Sequence, residues 1–259
     1  AWDVDGGFAT DDPDTFVSEH ALALWGFGPE HVVAVGRPQQ AWILEDGTWS
    51  PVAVTPADVQ SYDLTGVWGA TADDIVAVGW AVEAGGVAFR AVDGGAFEPD
   101  PLPPPRDLSR WPNLRAVWGR AASEIYAVGD AGTILRRGAG GWVAMDSGTT
   151  HDLTGVTGDG DDVLVVGDAG TILRLVDGTW VAEDAGTTAR LVSVWGGGGE
   201  VFAGGEPSVL LHKRGGRWSR VRTDLPSVVA LVDLREAGRD RLFLFAPFEQ
   251  TQLVRTTRW

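Results

Sequence analysis

A short signature, Leu-x-x-Val-Trp-Gly or a relative of it, returns along the chain at residues 22–26, 64–69, 114–119, 153–158 and 191–196, with a degenerate copy at 230–234. Anchored on the Trp position (residues 25, 68, 118, 157, 195 and 233, with Thr157 and Asp233 in the Trp place), the spacings are 43, 50, 39, 38 and 38. A unit of about 40 residues cannot bury its apolar face alone and must stack on its neighbours, so this repeat decides the architecture before any local pattern does. Each signature is followed by a polar or acidic turn and an alternating apolar run ending in Gly, at residues 32–36, 75–79, 125–129, 163–167 and 201–205. Gly-Asp-Ala-Gly-Thr-Ile-Leu-Arg follows intact at 129–136 and 167–174. A tight turn such as Asp46-Gly47 or Asp177-Gly178 comes next, and an aromatic opens the last segment: Trp49, Phe97, Trp142, Trp180, Trp218 and Trp259.

Short runs of period-two alternation, rich in Val, Ile, Leu and Trp and cut by Gly or Asp-Gly, are antiparallel strands joined by hairpins. Four such strands per unit and six units predict an all-β fold, a six-bladed β-propeller of four-stranded antiparallel blades forming one domain over residues 1–259. The blades fall near 21–60, 61–110, 111–150, 151–188, 189–227 and 228–259, the last together with 1–8. The final copy stops at Trp259, where a fourth strand would begin, and the segment 1–8 with Trp2 is placed to supply it. The N-terminal segment is therefore expected to close the ring as a clasp.

The pattern Val-Trp-Gly, Ala-Val-Gly-Asp-x-Gly-Thr-Ile-Leu, Asp-Gly-x-Trp, best kept at residues 114–218, resembles the YCF48-like photosystem II assembly factors and the BNR (Asp-box) propellers. That resemblance implies a propeller fold and, by analogy, an assembly or binding role. The Asp-box Ser/Thr-x-Asp-x-Gly-x-x-Trp is shortened here, at residues 45–49 and 176–180, which weakens any transfer of sialidase chemistry. A fainter similarity to tectonin-type lectin repeats rests on residues 133–136 with Gly141-Trp142.

Thirty-six acidic against 20 basic residues give a net charge of −16, a field that repels nucleic acid and anionic membrane surfaces. With no Cys there is no disulfide framework, zinc–thiolate site or cysteine nucleophile. No run approaches the roughly 20 apolar residues of a membrane span. The chain opens at Ala1 rather than Met, and with its acidic, Cys-free composition and the resemblance this leads us to expect a processed, extracytoplasmic monomer.

Residues that recur in register are first a packing solution, so Trp25, Trp68, Trp118, Trp195 and the second aromatic set are expected between sheets. Asp130 and Asp168 are read as turn residues whose carboxylates accept backbone N–H groups. Asp159, Asp161 and Asp162 on a Gly-rich loop offer hard oxygen ligands for calcium, although Asp74, Glu124 and Glu200 at the equivalent position argue for an ordinary polar turn. No other cofactor is implied.

Departures from the repeat carry the functional expectation. The aromatic-to-Trp distance between consecutive units is 15 in the later copies but 19 from Trp49 to Trp68, 21 from Phe97 to Trp118 and 23 from Trp2 to Trp25. From Gly79 to Phe97 the chain spans 18 residues, against 13 in the other ungapped copies. These insertions all fall on one face of blades six, one and two, and carry Asp11, Asp12, Asp14, Tyr62, Trp80, Glu83, Arg106, Arg110 and Trp111. Indoles beside arginines and carboxylates make a peptide-gripping or sugar-stacking surface. Trp111 has a second reading, in which it pins the proline-rich loop 101–112. Four scattered histidines, two tyrosines and no nucleophile-elbow motif give no catalytic constellation. The sequence thus points to a non-catalytic propeller that recognises a protein or glycan through Trp80, Glu83, Arg106, Arg110, Trp111 and Tyr62. A carbohydrate-active hydrolase or lyase with an acidic site at the channel mouth is the alternative.

Overall fold

The computed structural model describes residues 21–28, 30–55, 61–105, 110–222, 230–236 and 239–245. The clasp segment 1–8, Asp11, Asp12, Asp14, Arg106 and Trp259 lie outside the described residues. The chain forms two compact units, Ala1–Ala127 with Leu135–Ala144, and Val128–Ile134 with Met145–Trp259.

Every described element except two short 3₁₀ turns is a strand, and each sheet is ordered as the sequence runs. The first sheet is β1 (Ala21–Gly28), β2 (His31–Gly36), β3 (Gln40–Glu45) and β4 (Thr48–Pro51). The second is β5 (Tyr62–Thr71), β6 (Asp74–Ala81), β7 (Gly85–Val92) and β8 (Glu98–Pro99), and the third is β9 (Leu114–Ala121), β10 (Glu124–Gly129), β11 (Ile134–Gly138) and β12 (Gly141–Met145). In the second unit β13 (Leu153–Asp159), β14 (Asp162–Gly167), β15 (Ile172–Val176) and β16 (Thr179–Ala182) form the fourth. The fifth is β17 (Arg190–Gly197), β18 (Glu200–Glu206), β19 (Val209–Arg214) and β20 (Arg217–Arg220). The sixth repeat copy contributes an antiparallel pair, β21 (Ala230–Glu236) and β22 (Arg239–Phe245), among the described residues.

The signature earns its residues by packing. In the first unit the Trp68 indole lies on the next sheet, where a Cβ added to Gly119 would stand 2.7 Å from its ring carbons. Phe27 lies in the same way on Gly69, at 2.3 Å from an added Cβ. In these two places the aromatic of one sheet requires the signature glycine of the next, so here Val-Trp-Gly is a packing phrase rather than a site. Trp68, Phe97, Trp142 and Trp180 are buried, and Trp25, Trp118, Trp49, Trp195 and Trp218 are half-buried.

A second layer of register links neighbouring sheets through charge. Asp100 accepts from Arg137 Nε at 2.5 Å and from the Trp142 indole N–H at 2.8 Å. Glu183 accepts from Lys213 Nζ at 2.7 Å and from the Trp218 indole N–H at 2.8 Å. In both sets the acid stands three residues after the aromatic of one sheet, and the cation and indole belong to the next. The same three positions hold Val52, Ala91 and Phe97 where the first sheet meets the second, and Met145, Leu175 and Trp180 ahead of the fourth sheet. Acid and cation therefore appear together or are replaced together, because either one alone would leave a charge unpaired in a poorly hydrated place.

Tyr126 is 1% exposed and donates to Glu124 at 2.7 Å. Burial, then the hydrogen bond to Glu124 and that carboxylate's charge, push its hydroxyl up to about 12. Unfolded tyrosine ionises near 10, so the folded form holds the proton more tightly. Its contribution to stability, on the order of 2 kcal/mol, is complete below pH 10 and is lost as the pH rises towards 12. Unfolding free energy should fall over that window, and Tyr126→Phe should flatten the fall; an unchanged slope in the variant would refute the assignment.

Candidate functional site

The insertion of the second sheet does not form a loose loop. It lengthens β6 and β7 to eight residues each, so Trp80 sits in a strand, opposite Asp63 and Gly86. The hairpin tip that remains, residues 82–84, carries Val82, which at 71% is the most exposed large hydrophobic residue among those described. Glu83 beside it is exposed and Trp80 half-buried.

The incoming proline-rich loop straps this hairpin in place. Arg110 donates to the Val82 carbonyl at 2.7 Å, Gly86 N–H donates to the Trp111 carbonyl at 3.0 Å, and Gly85 and Trp111 form an isolated bridge. Gly85 has φ +74, and a Cβ there would stand 2.0 Å from the Trp111 carbonyl oxygen, so the close approach requires glycine. The Trp111 indole N–H donates to the Pro103 carbonyl at 2.5 Å and its ring packs against the buried cluster around Leu114 and Val117. Trp111 therefore holds the proline-rich loop down. Tyr62 is corrected more fully: it begins β5, is 0% exposed and meets Phe89 edge-on at 4.9 Å, so it is core and offers a ligand nothing. Trp80 and Glu83 lie on this hairpin and Arg110 is bonded to its tip, while Arg106 lies outside the described residues.

The acidic loop after β13 divides its carboxylates between separate tasks. Asp162 accepts from Arg174 at 2.9 and 2.5 Å, as Asp74 accepts from Arg90 at 2.7 Å on both carboxylate oxygens. These hydrogen bonds hold both guanidiniums above their ordinary values. Asp159 accepts from Gly199 N–H at 2.5 Å. A calcium ion would have to displace the Arg174 guanidinium from Asp162, and among the described residues no three acidic or histidine groups are placed to hold a metal together.

The Gly-Asp-Ala-Gly-Thr turns also differ from expectation. The left-handed residues are the alanine and the glycine after it, Ala131 (φ 52) with Gly132 (φ 69) and Ala169 (φ 55) with Gly170 (φ 71), rather than the aspartate. Asp168 reaches out of its turn to Arg190 Nε at 2.9 Å, and it is the Asp168 carbonyl that accepts from Thr171 N–H and hydroxyl. Sequence reasoning missed a further repeated phrase, Asp146-Ser147-Gly148-Thr149-Thr150 and Asp184-Ala185-Gly186-Thr187-Thr188. In each copy the aspartate accepts from the glycine N–H two residues on, at 2.9 and 2.7 Å. The signal was there as a second Asp-x-Gly-Thr spacing of 38 residues.

Repeated four-stranded antiparallel sheets, each ordered as the sequence runs, are the build of a β-propeller, and solved structures show the same fold. The chain is similar to a structure of YCF48 bound to a D1 peptide, with 16% identity over 88% of this chain and 75% of that one and a TM-score of 0.61. It is similar to YCF48 from Cyanidioschyzon merolae, with 16% identity over 88% and 81% and a TM-score of 0.63. A structure of U3-55K matches at 8% identity over 90% and 80%, again with a TM-score of 0.63. The chain shares the β-propeller fold of these proteins. No protein-family model and no curated protein sequence matches it.

Proposed function

We propose that the chain is a non-catalytic propeller that binds a segment of a partner protein through the ridge of Trp80, Val82, Glu83 and Arg110. The observation that carries this reading is a 71%-exposed Val82 on a hairpin tied down by Arg110 and Trp111. An apolar side chain held out in water is unfavourable unless something covers it, and a tip already fixed loses little entropy on binding. Glu83 and Arg110 supply the polar rim that gives such a contact its orientation. The likeness to YCF48, one structure of which holds a D1 peptide, favours a protein ligand over a glycan. Both tyrosines are buried, so neither supplies the nucleophile that a sialidase-like enzyme would use. The acidic, Cys-free composition supports an extracytoplasmic setting.

The test is selection of displayed random peptides on the whole protein, beside a glycan array read for both retention and cleavage. Peptides should be enriched, and their binding should weaken at least about tenfold in Val82→Asp and Trp80→Ala while both variants keep the native unfolding transition. Peptides that bind both variants unchanged, or glycans retained or cleaved with no peptide selected, would overturn it.

A further inference from the structure

We propose that a groove over the fourth sheet, in the second unit, receives a lysine or arginine side chain presented by an extended protein segment. The groove holds about 600 Å³, within the range of ligand sites. Its lining takes Ser147 and Thr149 from one copy of the Asp-x-Gly-Thr-Thr loop, with His151 just after it, and Asp184 and Thr187 from the other, with Glu183 just before it. Ile172, Leu173 and Trp180 from the sheet also line it.

The hydrogen bonds determine what this lining can offer. Thr171 donates its hydroxyl to the Asp168 carbonyl at 2.6 Å, so towards His151 Nδ1, 2.9 Å away, it must accept. His151 Nδ1 therefore donates here, and in the neutral ring this leaves Nε2 as an acceptor. Glu183 is committed to Lys213 and Trp218, whereas Asp184 gives only Oδ1 to Gly186 and keeps Oδ2 with no further partner among the described residues. Both charged side chains of the lining are carboxylates, and neither lysine nor arginine is among them. An acceptor rim above apolar side chains matches a long cationic side chain, whose methylenes lie along the apolar part and whose head donates to the rim. The chain's net charge of −16 draws such a partner in.

The presenting segment is identified by the strand beside the groove. β16 is the outermost strand of its sheet, and its last residue, Ala182, lines the groove. An edge strand leaves backbone N–H and C=O groups open to an added extended chain. The groove's residues belong to the second unit and the ridge's to the first, and either site can fail without the other.

The experiment titrates the isotope-labelled whole chain with acetyl-Ala-Arg-Ala-amide and with acetyl-Ala-Gln-Ala-amide, read by amide chemical shifts. The arginine peptide should move amides of residues 148–151, 169–171 and 183–187, and the glutamine peptide should not. In Asp184→Asn, which removes the charge while its amide oxygen can still accept from Gly186 N–H, binding should weaken about fivefold. Equal responses to the two peptides, no response, or undiminished binding by Asp184→Asn would overturn the proposal. So would shifts confined to residues 80–86, an outcome that would support the ridge and remove the groove.

Discussion

Replacing Asp100 with alanine is expected to cost about 3–5 kcal/mol in denaturant unfolding, because it strands two groups at once. Arg137 is 12% exposed and Asp100 10%, so the guanidinium has little water to fall back on, and the Trp142 indole N–H loses its acceptor. Asp100→Met with Arg137→Leu should instead lie within about 1 kcal/mol of the wild type, since a buried ion pair is often no better than well-packed apolar residues of similar volume. The chain already makes that exchange itself, with Met145 and Leu175 at the equivalent positions. A single variant costing less than about 1 kcal/mol would show that water reaches the pair freely. A double variant as damaged as the single would show that specific charge pairing, and not the removal of an orphan, is what the position needs. The Lys213–Glu183 pair, 9% and 21% exposed, should behave in the same way with a smaller loss.

These triads mark where the sequence stops being readable. The strands were legible because period two and a terminal glycine are local: the run read at residues 163–167 is β14, Asp162–Gly167, and that at 125–129 is β10, Glu124–Gly129. The aromatic registers were legible for the same reason, since each recurs at a fixed distance from its own hairpin. Asp100 with Arg137 spans 37 residues and Glu183 with Lys213 spans 30, and each pair joins different strands of different sheets. They emerge from sequence only when the third residue after the aromatic is compared with a strand position in the following copy. Tyr62 stands in an insertion, and an insertion need not be a loop. The added residues extend β5 past the bulge at Leu64 and Gly66, and an extended strand buries alternate side chains whatever loop it came from. Trp111 had no counterpart in register, yet its backbone meets Gly85 as the Thr149 carbonyl meets Gly132. A missing sequence counterpart did not mean a missing structural one. Val82, which carries the functional reading, had no sequence signal beyond its place in the longer hairpin.

Gly167→Ala is expected to destabilise the second unit by about 3 kcal/mol, although alanine is the smallest change available and Gly167 sits in extended backbone where any residue's φ is tolerated. The obstacle is the neighbouring strand. Between Leu153 and Gly155 the register of β13 against β14 slips by one residue, and the bulge pushes the Asp152 carbonyl towards the end of β14. A Cβ on Gly167 would lie 2.2 Å from that oxygen and 3.1 Å from the Leu153 Cα, both backbone atoms that cannot rotate away. The carbonyl is also held by Asp168 N–H at 2.9 Å, so its retreat would break a hydrogen bond as well. Gly79 meets Asp63 and Gly205 meets Arg190 in the same way, at 1.9 and 2.3 Å, which accounts for the glycine that ends the alternating run in the second, fourth and fifth sheets. Gly140 is the control: a Cβ there meets nothing within 4 Å and its φ is not in the left-handed region, so Gly140→Ala should change stability by no more than about 0.5 kcal/mol. Denaturant midpoints of the two variants measured side by side decide the matter. If Gly167→Ala unfolds with Gly140→Ala, the bulge carbonyl can yield, and the terminal glycine needs another explanation.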